Sequence, residues 1–201
     1  FQGFHNVQHV RFNSGYYPIL RIVSSAPGAK VTGQMFNFPI KLPSNLRTVI
    51  FGHNFNQPVI LPPRLRFLEF GLDFNQDVNL PITLESLTFG GKFNKHVDLP
   101  HGLKTLTFGE DFNQPVLLPP ELTRVKFGQA FNRPVELPDG IQEVHFGSQF
   151  NQPVKIPDSV KDLSFGESFD QAVQWPKTLS RLMIHIRYPH NTPDCKVMKF
   201  I

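Results

Sequence analysis

The pair Phe-Asn returns every nineteen residues, at Phe36, Phe55, Phe74, Phe93, Phe112, Phe131 and Phe150, and once more as Phe169-Asp170. No insertion or deletion breaks the interval. Such strict periodicity means one structural unit copied end to end, so the fold reduces to what nineteen residues can build. Other columns keep the same beat. Leu42-Pro43, Leu61-Pro62, Leu80-Pro81, Leu99-Pro100, Leu118-Pro119, Leu137-Pro138, Ile156-Pro157 and Trp175-Pro176 each follow the Phe by six residues, and then come Leu46, Val49 and Phe51-Gly52 with their equivalents. The unit reads FNxPVxLPxxLxxLxFGxx. Fifteen of the twenty-one Phe occupy its two Phe columns, so the Phe-rich composition is a product of the repeat.

Proline and glycine exclude ordinary helices. Between Gly33 and Pro176 no stretch free of both exceeds nine residues, so a helix of three turns has nowhere to form. The chain is therefore extended segments and turns. Within the unit, Val49 and Phe51 fall on one face of a strand, with Thr48 and Ile50 on the other. Val59-x-Leu61 alternates likewise and suggests a second, shorter extended segment, irregular at its start because Pro39, Pro58, Pro115, Pro134 and Pro153 cannot donate to a ladder. Nineteen residues trace one loop, which cannot bury its own apolar face; stacked copies can. The expected fold is all-β: a right-handed parallel solenoid of about ten nineteen-residue coils with degenerate end caps and almost no helix, its coils about 4.8 Å apart. Without a helical side to widen one edge, it is expected to be nearly straight or gently twisted.

The columns take distinct jobs. Phe51 and Phe55 with their equivalents predict two inward Phe ladders. Gly52 and its counterparts mark the turn after the strand, through positive φ or close backbone packing. The column Asn37, Asn56, Asn75, Asn94, Asn113, Asn132 and Asn151 is expected to satisfy backbone groups at the bend.

The ends differ from the middle. Residues 1–3, Phe-Gln-Gly, read as the remnant of a cleavable tag. Residues 4–35 read as degenerate coils forming an N-terminal cap: Val7, Val10, Phe12 and Tyr16 repeat the core spacing, and Val23, Val31 and Gly33 do so weakly. Regular repeats cover 36–186. Residues 187–201 read as a C-terminal cap or a truncated last coil, with Pro189 to Pro193 leaving the solenoid path and Val197, Met198, Phe200 and Ile201 returning as a last strand.

The unit resembles the FNIP repeat, a leucine-rich-repeat relative named for its Phe-Asn-x-Pro core and abundant in social amoebae and some giant viruses. The likeness covers Gly33 to about Ile184; the connection from Val59 to Leu61-Pro62 is shorter than is usual in the family. The resemblance implies a leucine-rich-repeat-like solenoid serving as a protein-binding scaffold. Family members often carry an N-terminal F-box that recruits a ubiquitin ligase, the repeats then being the substrate-recruiting part of a larger adaptor. Phe4 to Met35 show no such helical module, so that activity does not transfer.

Function has to reside in what the framework leaves free. One outward column reads Thr48, Phe67, Ser86, Thr105, Arg124, Glu143, Asp162 and Arg181, and its neighbour Ile50, Glu69, Thr88, Thr107, Lys126, His145, Ser164 and Met183. These vary while the core columns repeat, as recognition surfaces of repeat proteins do. Ile50, Phe67, Glu69, Arg124, Lys126, Glu143, His145, Asp162, Arg181 and Met183 are the candidate partner-binding residues. The alternative is a nucleic-acid-binding solenoid, in which Arg47, Arg66, Lys104, Lys126, Lys161 and Arg181 track phosphates; Glu69, Glu85, Glu143 and Asp162 interrupt that stripe. A net charge of +4 adds little to either reading.

No enzyme, cofactor or metal is expected. His145, Asp162 and Ser164 fall on neighbouring strands and invite a triad, but an open sheet face offers neither oxyanion hole nor shelter. His53, His96, His101 and His190 fall in unrelated columns, without metal-ligand spacing. No run approaches eighteen apolar residues. A lone Cys195 and the lack of an Asn-x-Ser/Thr sequon point to an intracellular, cytoplasmic protein.

Overall fold

Two turns per coil, each written in the repeat, shape the chain. The computed structural model describes residues 11–14, 18–21 and 37–200. In each of eight units the carbonyl of the Leu-Pro column's proline accepts the amide of the Leu, Ile or Val three residues on, as from Leu103 N to Pro100 O at 3.1 Å. That turn delivers the chain into a strand. A second turn follows, closed for example by Phe93 N on Gly90 O at 3.3 Å. Proline presets φ for the first turn and removes a donor that the loop could not satisfy.

The strands between these turns stack in register. Beyond an N-terminal pair, β1 (Arg11–Ser14) and β2 (Pro18–Arg21), they are β3 (Thr48–Ile50), β4 (Phe67–Glu69), β5 (Ser86–Thr88), β6 (Thr105–Thr107), β7 (Arg124–Lys126), β8 (Glu143–His145), β9 (Asp162–Ser164), β10 (Arg181–His185) and β11 (Lys196–Phe200). From β3 to β11 each pairs in parallel with the next, forming one nine-stranded sheet. From β3 to β10 the register advances by nineteen residues per strand, Thr105 opposite Arg124 and Arg124 opposite Glu143. The second extended segment builds no sheet; one isolated bridge, Lys41 to Ile60, marks it. Its exposed prolines account for this, since a ladder there would lack a donor in most coils.

The core is the inward side of this stack. Leu46, Val49, Phe51, Phe55 and their equivalents are buried along the chain. Within a coil the two Phe rings stack face to face, Phe108 on Phe112 at 3.7 Å and 7°. Each also faces its counterparts in the neighbouring coils. Rings in the Phe51 column stand 5.2 to 5.8 Å apart, and in the Phe55 column 6.0 to 6.2 Å. Paired strands stand only about 4.8 Å apart. Coil-to-coil separation is therefore wider at the Phe rows than the usual spacing of paired strands.

Close backbone contact, and not a left-handed φ, explains the glycine column. A Cβ built on Gly109 would lie 1.9 Å from the carbonyl oxygen of Gly90, and the same collision recurs from Gly71 to Gly166. The Asn column is a ladder between coils. Each Asn Oδ1 accepts the amide of the Asn nineteen residues later, from Asn56 N on Asn37 Oδ1 at 2.9 Å to Asn151 N on Asn132 Oδ1 at 3.0 Å. Gln57, Gln76, Gln114, Gln152 and Gln171 donate to the same oxygens. The ladder ends where Asn151 Oδ1 accepts the amide of Asp170.

The described coils number about eight, not ten. At the N-terminus Phe12 lies in β1, which pairs with β2 antiparallel, Phe12 opposite Leu20; this is a hairpin, where a degenerate parallel coil was expected. Val7, Val10, Tyr16, Val23, Val31, Gly33 and Ile201 lie outside the described residues. At the C-terminus Tyr188 takes the Phe position, stacks on Phe169 at 6.0 Å and donates its hydroxyl to Gln171 O. The chain then returns early. Lys196 pairs with Arg181 after fifteen residues, and β11 is the last strand that the sequence suggested.

Phe112→Ala is expected to cost about 3 to 5 kcal/mol, because fixed coils above and below cannot close over the cavity. Gly109→Ala should destabilise as well, through backbone collision alone. Urea unfolding followed by amide signals from both halves should show the halves separating under either lesion. A loss below about 1 kcal/mol for Phe112→Ala would contradict the ladder.

Candidate functional site

Three-residue strands leave two outward columns, and alternation along each strand decides what they show. The middle residue is buried in every strand from β3 to β9, and its neighbours face out in all but one case. Glu69, Arg124, Lys126 and Arg181 are exposed, and Ile50, Glu143 and His145 partly so. Phe67 and Met183 remain 47% and 39% exposed, which leaves apolar area available near both ends of the face. Asp162 is the exception. It is only 7% exposed and its carboxylate is bound by Arg181, so it is the candidate least open to a partner.

Ion pairs run across the strands, each linking residues nineteen apart. Arg124 Nη2 meets Glu143 Oε1 at 2.7 Å, Arg66 Nε meets Glu85 Oε1 at 2.8 Å, and Arg181 pairs with Asp162. Hydrogen bonds to their carboxylates, then Coulomb attraction, hold the Arg124 and Arg181 guanidinium groups above their usual range. These pairs are solvent-facing and stabilise little. Their effect is to fix long side chains in rows on the sheet.

His145 and Ser164 come together as the sequence suggested, His145 Nδ1 lying 2.8 Å from Ser164 Oγ. Asp162 does not join them, because Arg181 holds it. Burial pushes the His145 imidazole below its usual value; Asp162 and Glu143 pull it back up, and Lys126 and Arg181 add to the fall. The pair borders an open groove where the sheet meets the turns at Gly109, Gly128 and Gly147. Another hollow lies on the second-segment side among Pro153, Ile156 and Trp175. Sequence reading passed over Trp175, whose indole donates to Asn191 O at 2.9 Å; its place in the leucine column was the available signal. Among the described residues no group of three or more His, Cys, Asp and Glu is arranged to hold a metal ion. No helix there is long and apolar enough to cross a membrane.

A parallel sheet along one side of the stack, with one strand and two turns per coil, defines a leucine-rich-repeat-like solenoid. The chain belongs to the FNIP Repeat family, whose pattern matches in overlapping windows from 36–73 to 150–179. Among solved structures it is similar to CroV588, described as a novel circular LRR protein, with 31% identity and a TM-score of 0.62. That likeness covers 77% of this chain and 30% of CroV588, so the chain spans less than a third of that protein's length. YopM from Yersinia enterocolitica WA-314 shares the fold at 21% identity and a TM-score of 0.52, over 73% of this chain and 39% of YopM. No curated protein matches the sequence.

Burial of His145 makes stability depend on pH in one direction. The unfolded state binds the proton more readily, so this contribution to stability is fully present above the unfolded value near 6.5 and is lost as pH falls through the lower folded value. The His145 ring signals should titrate below 6.5 by NMR, and His145→Gln should flatten the fall in stability on acidification. A midpoint above 6.5 would contradict the burial.

Proposed function

We propose that this protein is a non-catalytic scaffold that binds a protein partner through the outward columns of the sheet. The observation that carries the reading is a contrast within one repeat. Core columns stay apolar along the stack, mostly Leu, Val and Phe with Ile141, Ile184 and Tyr188 as substitutes, while the adjoining outward columns change from coil to coil and leave Phe67 and Met183 partly open. A stiff ladder with a varied face suits recognition of an extended surface, with apolar anchors supplying affinity and charged neighbours supplying selectivity. The likeness to a circular LRR protein supports a scaffold role, because stacked repeats present extended faces for recognition. The His145–Ser164 pair is a surface contact in this reading; a nucleophile would need a base oriented by a third group, and Asp162 is engaged by Arg181. A free Cys195 suits a reducing, intracellular compartment.

Lysine-directed cross-linking tests the face. Proteins retained by the immobilised chain are expected to cross-link through Lys104, Lys126 and Lys161 on and beside the sheet, and Phe67→Ser should reduce their retention. Cross-links concentrated on Lys155 and Lys177, or retention abolished by nuclease, would overturn the reading.

A further inference from the structure

The cations of the sheet face are not equivalent once ion pairs are removed. Arg66, Arg124 and Arg181 are each matched by an acidic residue one coil away. Among the described residues on and beside strands β3 to β9, Arg47, Lys104, Lys126 and Lys161 have no ion pair, and Glu69 is the one acidic residue there in the same condition. Three of the four cations share a column. Arg47, Lys104 and Lys161 stand at the rim where the chain enters β3, β6 and β9, all exposed. Fifty-seven residues, or three coils, separate each from the next. Between Lys104 and Lys161 the column holds Thr123 and Gln142, and between Arg47 and Lys104 it holds the neutralised Arg66–Glu85 pair. No uncompensated acid interrupts it.

Three coils at the strand spacing place these cations about 14 to 15 Å apart. An extended peptide advances about 3.3 to 3.4 Å per residue, so four residues cover about 13 Å, and residues i, i+4 and i+8 project on one side. The flexible Lys and Arg stems absorb the difference. A helix would need about ten residues to cover the same interval. A nucleic-acid strand carries its charges far more densely than one per 14 Å, leaving most phosphates between cations uncompensated. It would also want several stacking platforms, and Phe67 is the one exposed aromatic in the outward columns.

We propose that the column Arg47, Lys104 and Lys161 receives an extended acidic segment of a partner protein, laid along the solenoid axis across the strands, with carboxylates four residues apart. This rests on the protein-binding reading above and specifies the partner's chemistry. Contacts at an exposed rim act mainly on encounter rate and register and are weakened by salt.

Two labelled nine-residue peptides of identical composition test it, one with Glu at positions 1, 5 and 9 and Thr elsewhere, the other with Glu at positions 4, 5 and 6. Fluorescence anisotropy at about 0.05 M salt limits screening. The spaced peptide is expected to bind about tenfold more tightly, three exposed ion pairs each contributing a few-fold. Replacing Lys104→Gln and Lys161→Gln together should erase the preference while circular dichroism and melting stay unchanged. Equal binding of the two peptides, a preference that survives in the double variant, or tighter binding of a single-stranded oligouridylate would each overturn the proposal. Should the peptides fail while captured proteins still cross-link to Lys126, the acidic-segment proposal falls and the scaffold reading stands. Should the spaced peptide bind while captured proteins cross-link only at Lys155 and Lys177, the scaffold reading falls and takes with it the column's assignment to a partner protein, leaving only an affinity for carboxylates.

Discussion

Everything in this molecule depends on hydrogen bonding between neighbouring coils at a fixed offset of nineteen residues. A single coil has too little chain to pair its own strand or to cover its own apolar side. Its strand amides and carbonyls are completed by the coils before and after it, Arg124 aligning with Thr105 on one side and Glu143 on the other. The same offset recurs in the Asn ladder, where one coil's side-chain oxygen accepts the next coil's backbone amide. An inserted residue would break strand, Asn and Phe contacts together, which explains why none occurs from Phe36 to Phe169. The glycine column tightens this constraint, since the coils approach there until no side chain fits between them.

Much of this could be read from the chain, and the limits have physical causes. Phe and Leu columns announce an inward side because burial is repeated at one offset, and Phe51, Phe55, Leu46 and Val49 are all buried. The Pro and Gly columns announce two turns, and both are hydrogen-bonded. What periodicity could not convey was anything depending on distance in the third dimension. The ring spacings of the Phe rows exceed the usual strand spacing, a comparison with no counterpart in a string of letters. The second segment looked half-extended in Val59-x-Leu61, yet proline denied it a ladder. Phe12 carried the right spacing for a coil, and the antiparallel pairing of β1 with β2 overrode it.

The candidate face was legible in outline for the same reason. Alternation places Arg124 and Lys126 outside Val125, and they are exposed. The sequence did not reveal that Arg181 would cover Asp162, because an ion pair depends on rotamers as well as columns. Pairing changes what the face offers. Three arginines that look free in the sequence are spoken for, and the cations left over are mostly those with Thr, Gln or Ser in the neighbouring coils. Framework and face are thus independent in their packing but not in their charge.

The stacking of coils also gives the molecule a mechanical character. Pulled from its two ends, the solenoid is loaded along its axis, so the contacts between one coil and the next bear the force in series. A coil that detaches exposes the next to the same load. Each step then replaces a rise of about 4.8 Å by nineteen residues of extended chain, a gain of roughly 60 Å. The chain behaves as a row of equal latches, extending in even increments under tension, with Tyr188 and the early-returning β11 closing the last of them differently from the rest.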